Sequence, residues 1–401
     1  MKPRYVRRMH ELPLLKECEL QKLRVIERAL TELSAADAAT MLRLSPRQVF
    51  RLKAKVRSQG PQGIVHGNTG HQPAIAKPPA LRTRVLALYR REFRDYGVTH
   101  FVEALHEEYD IPVSYDTARR WLRAAEMGPD PHTVRSHHRH RRERRSRFGE
   151  WLFLDGSPHH WFGPDRPKST LILATDDATG KPLYGLFEPQ ETLNGCFQVL
   201  YHVFQEYGLP GTLYLDRAGQ FTTTRHGGTH RFQRDDRPTH FEIAMEALAI
   251  QLIFADSPQA RGRGERINGT FQRRLVPELR RAGITEREPA NAYLNDNFIP
   301  GIARRFGVAP RETMPAFRKA PAGLDLRTVL CAKATREVSN DNTISYKAQR
   351  YQLLPTPRSA CVVGGQVQVQ EWFDESVHVF HRLTGEIQTR RLSPRPKPSM
   401  T

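Results

Sequence analysis

The sequence predicts a multidomain chain, with all-α units at the N-terminal end, a mixed α/β domain in the middle and a small all-β domain at the C-terminal end. Three observations predict it. The 401 residues exceed what one hydrophobic core serves, because cores stop growing at about 250 to 300 residues. Apolar residues recur at helical spacing as far as Leu122, switch to mixed strand and helix spacing from Trp151, and alternate with polar ones from Thr343 onward. Each switch falls in a stretch with little periodicity of its own.

Charge narrows the partners. Lys and Arg number 62 against 43 Asp and Glu, a formal charge of +19, which points to a polyanion; a merely basic soluble protein is the alternative. Cys18, Cys196, Cys331 and Cys361 form no C-x-x-C pair, so reduced thiols of a cytoplasmic protein are expected and a structural zinc is not. The basic N-terminus has no apolar run behind it, and no stretch of about 18 apolar residues occurs, so neither a secretory signal nor a membrane span is expected.

Leu23, Val25, Ile26, Leu30 and Leu33 mark a first helix. Ser34 is placed to cap a second, and Ser45 with Pro46 behind it to cap a third. Residues 15–60 therefore read as a helix-turn-helix domain whose last helix offers Arg47, Gln48, Arg51 and Lys53, residue types suited to phosphates and base edges in a major groove. A linker from Gly60 to Pro79 leads to a second such unit, residues 80–128. It has helices marked by Val85, Leu88 and Tyr89, then Phe101, Leu105 and Tyr109, then a segment begun at Ser114 that carries Arg119, Arg120 and Arg123. Either unit could be a packing module; two in tandem favour a bipartite DNA reader.

The arm, residues 129–148, holds Arg141, Arg142, Arg144 and Arg145 in a stretch too polar to build a core. It reads as a solvated, phosphate-contacting segment; His137, His138 and His140 within it lack ligand geometry.

From residue 149 to 310 the order is three strands in a meander, then helix, strand, helix, strand, helix. "WLFLDG" is read as a buried strand ended by Asp155. "STLILATDDATGKPLYGLFEP" is read as a hairpin with Asp176 and Asp177 as turn residues, and "TLYLD" as a fourth strand ended by Asp216. That order is a mixed sheet of the ribonuclease H type, in which the first and fourth strands are neighbours. Residues 325–392 read as a small β barrel or sandwich, SH3-like in size, with strands in "NTISYKAQRYQLLP", "ACVVGGQVQVQEWF" and "SVHVFHRL".

Three carboxylates stand out: Asp155, Asp216 and Glu265, the last just inside a long basic helix. On converging elements they would repel one another, which makes sense mainly as a metal site. Phosphoryl transfer on DNA uses two divalent cations about 3.5 to 4 Å apart, and Mg²⁺ takes hard oxygen ligands. Gly156 would leave room beside Asp155 for metal and phosphate.

Residues 150 to 310 resemble the catalytic core of DDE transposases of the retroviral-integrase-like superfamily, through "FLDGSPHHWF", "LYLDRAGQF" and "FEIAMEALAIQLIFADSPQARGRGERINGTFQRRL". The whole chain is similar to ISNCY-type bacterial insertion-sequence transposases. The resemblance implies that Asp155, Asp216 and Glu265 are both catalytic and metal-binding, holding two Mg²⁺ or Mn²⁺ ions. It implies that the helical units bind terminal repeats, and that Arg261, Arg263, Arg266, Arg273 and Arg274 line the helix where DNA lies. Double-stranded DNA, as element ends and target, is the implied partner, with a homo-oligomer on it. From Asp216 to Glu265 is 49 positions, longer than the family's usual gap, and Arg217 and Asp256 stand where relatives more often carry Asn. Asp256 is read as a turn cap, with approach to the metals as the alternative. Three further alternatives stay open: a non-catalytic DNA-binding regulator, a nuclease that hydrolyses without joining, and an inactive relic.

Overall fold

The computed structural model describes residues 15–67, 69, 77–128, 143–215, 238–254, 264–354 and 362–393, with the backbone alone of Glu265. Two compact units divide the chain, residues 1–83 and 84–401.

In the first unit the helices are α1 (Glu17–Thr31), α2 (Ala35–Leu42) and α3 (Pro46–Gln59), followed by a 3₁₀ turn, Gly60–Ile64. The caps form where the sequence placed them. Ser34 accepts from the Asp37 amide, and Ser45 accepts from the Gln48 amide while the Gln48 side chain returns to the Ser45 amide at 2.9 Å. Arg43 turns the chain between α2 and α3 in the left-handed region. Leu23, Ile26, Ala38, Val49, Val56 and Ile64 form the core.

The second unit begins in α4 (Pro79–Glu92) and continues through α5 (Val98–Tyr109) and α6 (Tyr115–Ala124, capped by Ser114). A mixed sheet follows: β1 (Trp151–His159), β2 (Ser169–Asp176), β3 (Pro182–Glu188), β4 (Thr212–Leu215) and β5 (Gln251–Phe254), in the order β3-β2-β1-β4-β5. β1, β2 and β3 pair antiparallel, whereas β1, β4 and β5 run parallel, so the first and fourth strands are neighbours as expected. Helices α7 (Leu193–Glu206) and α8 (His240–Ala247) cover one face, with Leu152, Leu154, Ile172, Phe197, Leu200 and Met245 in the shared core. The other face packs against α9 (Gly264–Arg281), α10 (Arg287–Tyr293) and α11 (Ile299–Phe306) through Leu171, Leu173, Phe187, Phe271, Leu275 and Leu294.

β3 is an edge strand, and edges invite unwanted pairing. Here Asn295 accepts from the Gly185 amide and donates to its carbonyl, while Asn291 accepts from the Phe187 amide. Two side chains one helical turn apart thus seal the edge.

Three expectations change. β1 does not end at Asp155 but runs on to His159, because β2 supplies ladder partners as far as Ser169. Asp176 ends β2 and Asp177 opens the hairpin turn as expected, but both are buried, which a turn alone does not explain. Asp176 accepts from the amides of Gly149 and Thr179 and from the Thr179 hydroxyl, and burial raises its carboxyl above the ordinary value while those bonds oppose the rise. The end of the arm, residues 143–148, is docked rather than solvated. Arg145 donates its amide to Asp177, Arg147 donates to the carbonyls of Met314 and Pro315, and Phe148 packs edge-on against Phe317 and Tyr207. Gly149, at φ 81°, sits where a Cβ would strike the Phe317 ring, so both space and backbone require glycine.

The segment after Arg311 packs on the core as well. Arg318 bridges to Leu209, and Leu326, Val329 and Leu330 are buried in the core of the sheet. Beyond it, the described residues form seven short strands: β6 (Ala332–Glu337), β7 (Thr343–Tyr346), β8 (Gln349–Leu353), β9 (Gln366–Glu371), β10 (Val377–His381), β11 (Gly385–Ile387) and β12 (Thr389–Arg391). They form a four-stranded and a three-stranded sheet around Ile344, Leu353, Val367, Val369 and Val379.

Candidate active site

Asp155 is the fifth residue of β1 and pairs with Leu173 of β2. Alternation along the strand sends Leu152 and Leu154 into the α7–α8 core. Asp155 and Ser157 therefore point to the α9 side. There the Asn268 amide donates to Asp155 Oδ2 at 2.7 Å, and Gln272 donates to Ser157 Oγ at 3.1 Å. A Cβ on Gly264, the first residue of α9, would lie 3.2 Å from Asp155 Oδ2. The first turn of α9 is thus held against Asp155, and Glu265 is the second residue of that turn. Parallel pairing of β1 with β4 places Trp151 to Phe153 beside Thr212 to Tyr214, and β4 ends at Leu215, the residue before Asp216.

Asp216 lies outside the described residues, as does the Glu265 side chain. Among the described residues no group of three or more His, Cys, Asp or Glu side chains is placed to hold a metal ion. A Cβ on Gly156 would lie 2.3 Å from Glu191 Oε2, so the glycine accommodates that side chain on the far face of β1.

The other half of α9 is clamped by the second helical unit. Arg274, only 9% exposed, donates to both oxygens of Glu103 at 2.5 and 3.1 Å. Arg280 does the same to Asp95 at 2.7 and 2.6 Å, Arg281 pairs with Glu108, and Arg305 of α11 with Glu103 and Glu107. Buried His100 shares a 2.8 Å hydrogen bond with Glu278, and its ring stacks on Tyr96. A cleft of about 810 Å³ runs along this junction, but its lining includes none of the three predicted carboxylates. Arg274 is therefore not part of a DNA-facing surface, since its guanidinium is spent on Glu103.

With this geometry in place, known proteins are informative. No protein-family model matches the chain. A putative transposase, y4bF, of Sinorhizobium fredii (strain NBRC 101917 / NGR234) is 30% identical over 367 residues, covering 91% of this chain and 79% of that protein. The transposase for insertion sequence IS1202 of Streptococcus pneumoniae is 31% identical over 357 residues, covering 80% and 74%. The chain belongs to this transposase family. A solved structure of the HTLV-2 integrase catalytic core domain in complex with magnesium covers 38% of this chain and 86% of its own at 14% identity; its TM-score of 0.29 is too low to carry an inference.

The cationic residues of this transposase divide by placement. Arg47, Gln48 and Arg51 are exposed on α3 and Lys53 is half-buried; Gln48 also closes its capping box. Arg119, Arg120 and Arg123 are exposed on α6, and Arg266 on the first turns of α9. Arg144 is exposed and donates to the Ala178 carbonyl at 3.3 Å. The Arg145 guanidinium lies 3.5 Å over the Trp151 ring, 3.7 Å from Glu150. Arg141, Arg142, Arg261 and Arg263 lie outside the described residues. Sequence reasoning passed over Asn268 and Gln272. Helical spacing held the signal, since Asn268 is three residues beyond Glu265 and Gln272 four beyond Asn268, on one face of α9.

Proposed function

We propose that this transposase binds the ends of its element and catalyses metal-dependent strand cleavage and strand transfer at Asp155, Asp216 and Glu265. One observation carries the reading. The Asp155 carboxylate, on a buried strand, is hydrogen-bonded by Asn268 in the helix that carries Glu265, and the neighbouring parallel strand leads directly into Asp216.

The donor set fits a divalent metal: three carboxylates supply hard oxygens, and the Asn268 amide fixes the plane of one of them. Two Mg²⁺ or Mn²⁺ ions, when bound, would activate the attacking oxygen and stabilise the leaving one. The chain's own residues hold the phosphodiester in line and shape the charge around it. In the first step water attacks at the element end and frees a 3′-hydroxyl. In the second that hydroxyl attacks a target phosphodiester, forming one bond as it breaks another.

In this reading, residues 15–60 and 80–128 are DNA-binding units, using Arg47, Gln48, Arg51 and Lys53 on one and Arg119, Arg120 and Arg123 on the other. In the basic segment 129–148, Arg141, Arg142 and the exposed Arg144 follow the phosphate backbone, while its docked end with Arg145 anchors the segment to a core at 149–310, where Arg261, Arg263 and Arg266 line the path. Residues 325–392 form an accessory β-domain. Two ends must be joined together, so a dimer or larger assembly acts on DNA.

The test uses a labelled duplex carrying the inverted repeat that flanks the gene, with a plasmid target. The full chain in Mg²⁺ is expected to yield joined product, and chelation with EDTA to remove it. Hydrolysis without any joining would make the protein a nuclease instead. Asn268→Ala is expected to slow joining about 10- to 100-fold, the usual cost of losing a hydrogen-bond partner behind a metal ligand. Part of that loss should be recovered by raising Mn²⁺; an unchanged rate and metal requirement would remove Asn268 from the site.

A further inference from the structure

α3 buries Val49 and Val56 in the core of the first unit, with Leu52 partly covered. Its opposite face presents Arg47, Phe50, Arg51 and Ala54, spaced i, i+3, i+4 and i+7, and all four are exposed. Phe50 is 59% exposed, although phenylalanine is among the residues most often buried. The helix carries five cations, Arg47, Arg51, Lys53, Lys55 and Arg57, and no carboxylate. Lys53 Nζ lies 5.9 Å from the Phe50 ring centroid, and Ala54, one turn on, is too small to shield the ring. An apolar ring is thus set among cations on the outer face of a capped helix.

The occupant follows from that combination. The cations fit a polyanion, and the ring requires an apolar group lying among its charges. Major-groove edges offer one such group, the 5-methyl of thymine, and the groove admits a helix. We propose that Phe50 is a specificity-determining residue that packs on a thymine methyl when α3 lies in the major groove, while Arg47 and Arg51 beside it hold phosphates or guanine. This rests on the reading of residues 15–60 as a DNA-binding domain.

The test is selection of random duplexes by the full chain in EDTA, wild type against Phe50→Ala and Phe50→Leu. The wild type is expected to enrich a motif with thymine at one or two adjacent positions. Phe50→Ala should lose preference there and keep the rest, while Phe50→Leu retains part of it. Replacing that thymine by uracil should weaken wild-type binding roughly fourfold, the scale of one buried methyl group, and leave Phe50→Ala indifferent. An identical motif from Phe50→Ala, or no uracil effect on the wild type, overturns the role of Phe50 alone. If the wild type enriches no motif, α3 is not a reader and both readings fall. If Phe50→Ala changes the sedimentation of the free protein and not the motif, the ring serves contact between copies and the proposal is overturned. Phe50 is exposed, so thermal unfolding should match the wild type in every arm.

Discussion

Asp155→Ala is expected to slow both cleavage and joining by about a hundred- to a thousandfold, the loss seen when one group that stabilises transition-state charge is removed. The carboxylate sits on a strand paired along its length with β2, so the change removes an oxygen donor without dismantling the sheet. Asp155→Asn keeps the shape and drops the charge, and should be equally impaired. Gel-shift binding of the element end should stay at the wild-type level for both. Joined product at a rate near wild type from either variant would sink the assignment. End binding lost together with activity would point to misfolding, which circular dichroism would expose.

Arg274→Ala is expected to destabilise the second unit by about 3 kcal/mol, because it leaves Glu103 in a half-buried junction without its principal partner. Arg305 still reaches Glu103, which keeps the loss at the low end of the range for broken buried pairs. Replacing both, as Arg274→Met with Glu103→Met, should restore much of the stability, since neither charge then needs a partner. Burial pushes the Glu103 carboxyl up, but the Arg274 hydrogen bond and the guanidiniums of Arg274 and Arg305 outweigh it and hold it below the ordinary glutamate value. A depressed carboxylate stabilises the fold above its unfolded value and loses that contribution as pH falls through its folded value. The gap between wild type and Arg274→Ala should accordingly close in acid. Urea unfolding across pH measures both effects; equal midpoints at neutral pH would mean that the clamp adds nothing.

What the sequence made legible was local. Ser34, Ser45 and Ser114 each begin a helix where a hydroxyl precedes an apolar repeat, and each accepts a backbone amide in the structure. The neighbouring of β1 and β4 could also be foreseen, from the order of elements alone. What escaped was set by partners far along the chain. β1 outran its apolar run because β2 extends beside it. Asp176 stands at its turn, but its burial escaped because Gly149, 27 positions earlier, is invisible to a local pattern. Arg274 looked like one more cation on a basic helix because Glu103, 171 positions away, decides where its guanidinium goes. β11 and β12 are only three residues long, too short for alternation to announce them, and β6 buries none of its residues fully, so it has no apolar face to alternate.

The clamp between α5 and α9 also sets where the chain can be cut. By element order, a catalytic fragment would begin near residue 149. By packing, such a cut strips Glu103, Asp95 and Glu108 from Arg274, Arg280 and Arg281 and takes Phe93 from beneath the Arg281 guanidinium. It leaves a row of half-buried cations on the very helix whose first turn meets Asp155. The smallest fragment expected to fold around an ordered site therefore starts ahead of α4, at or before Pro79.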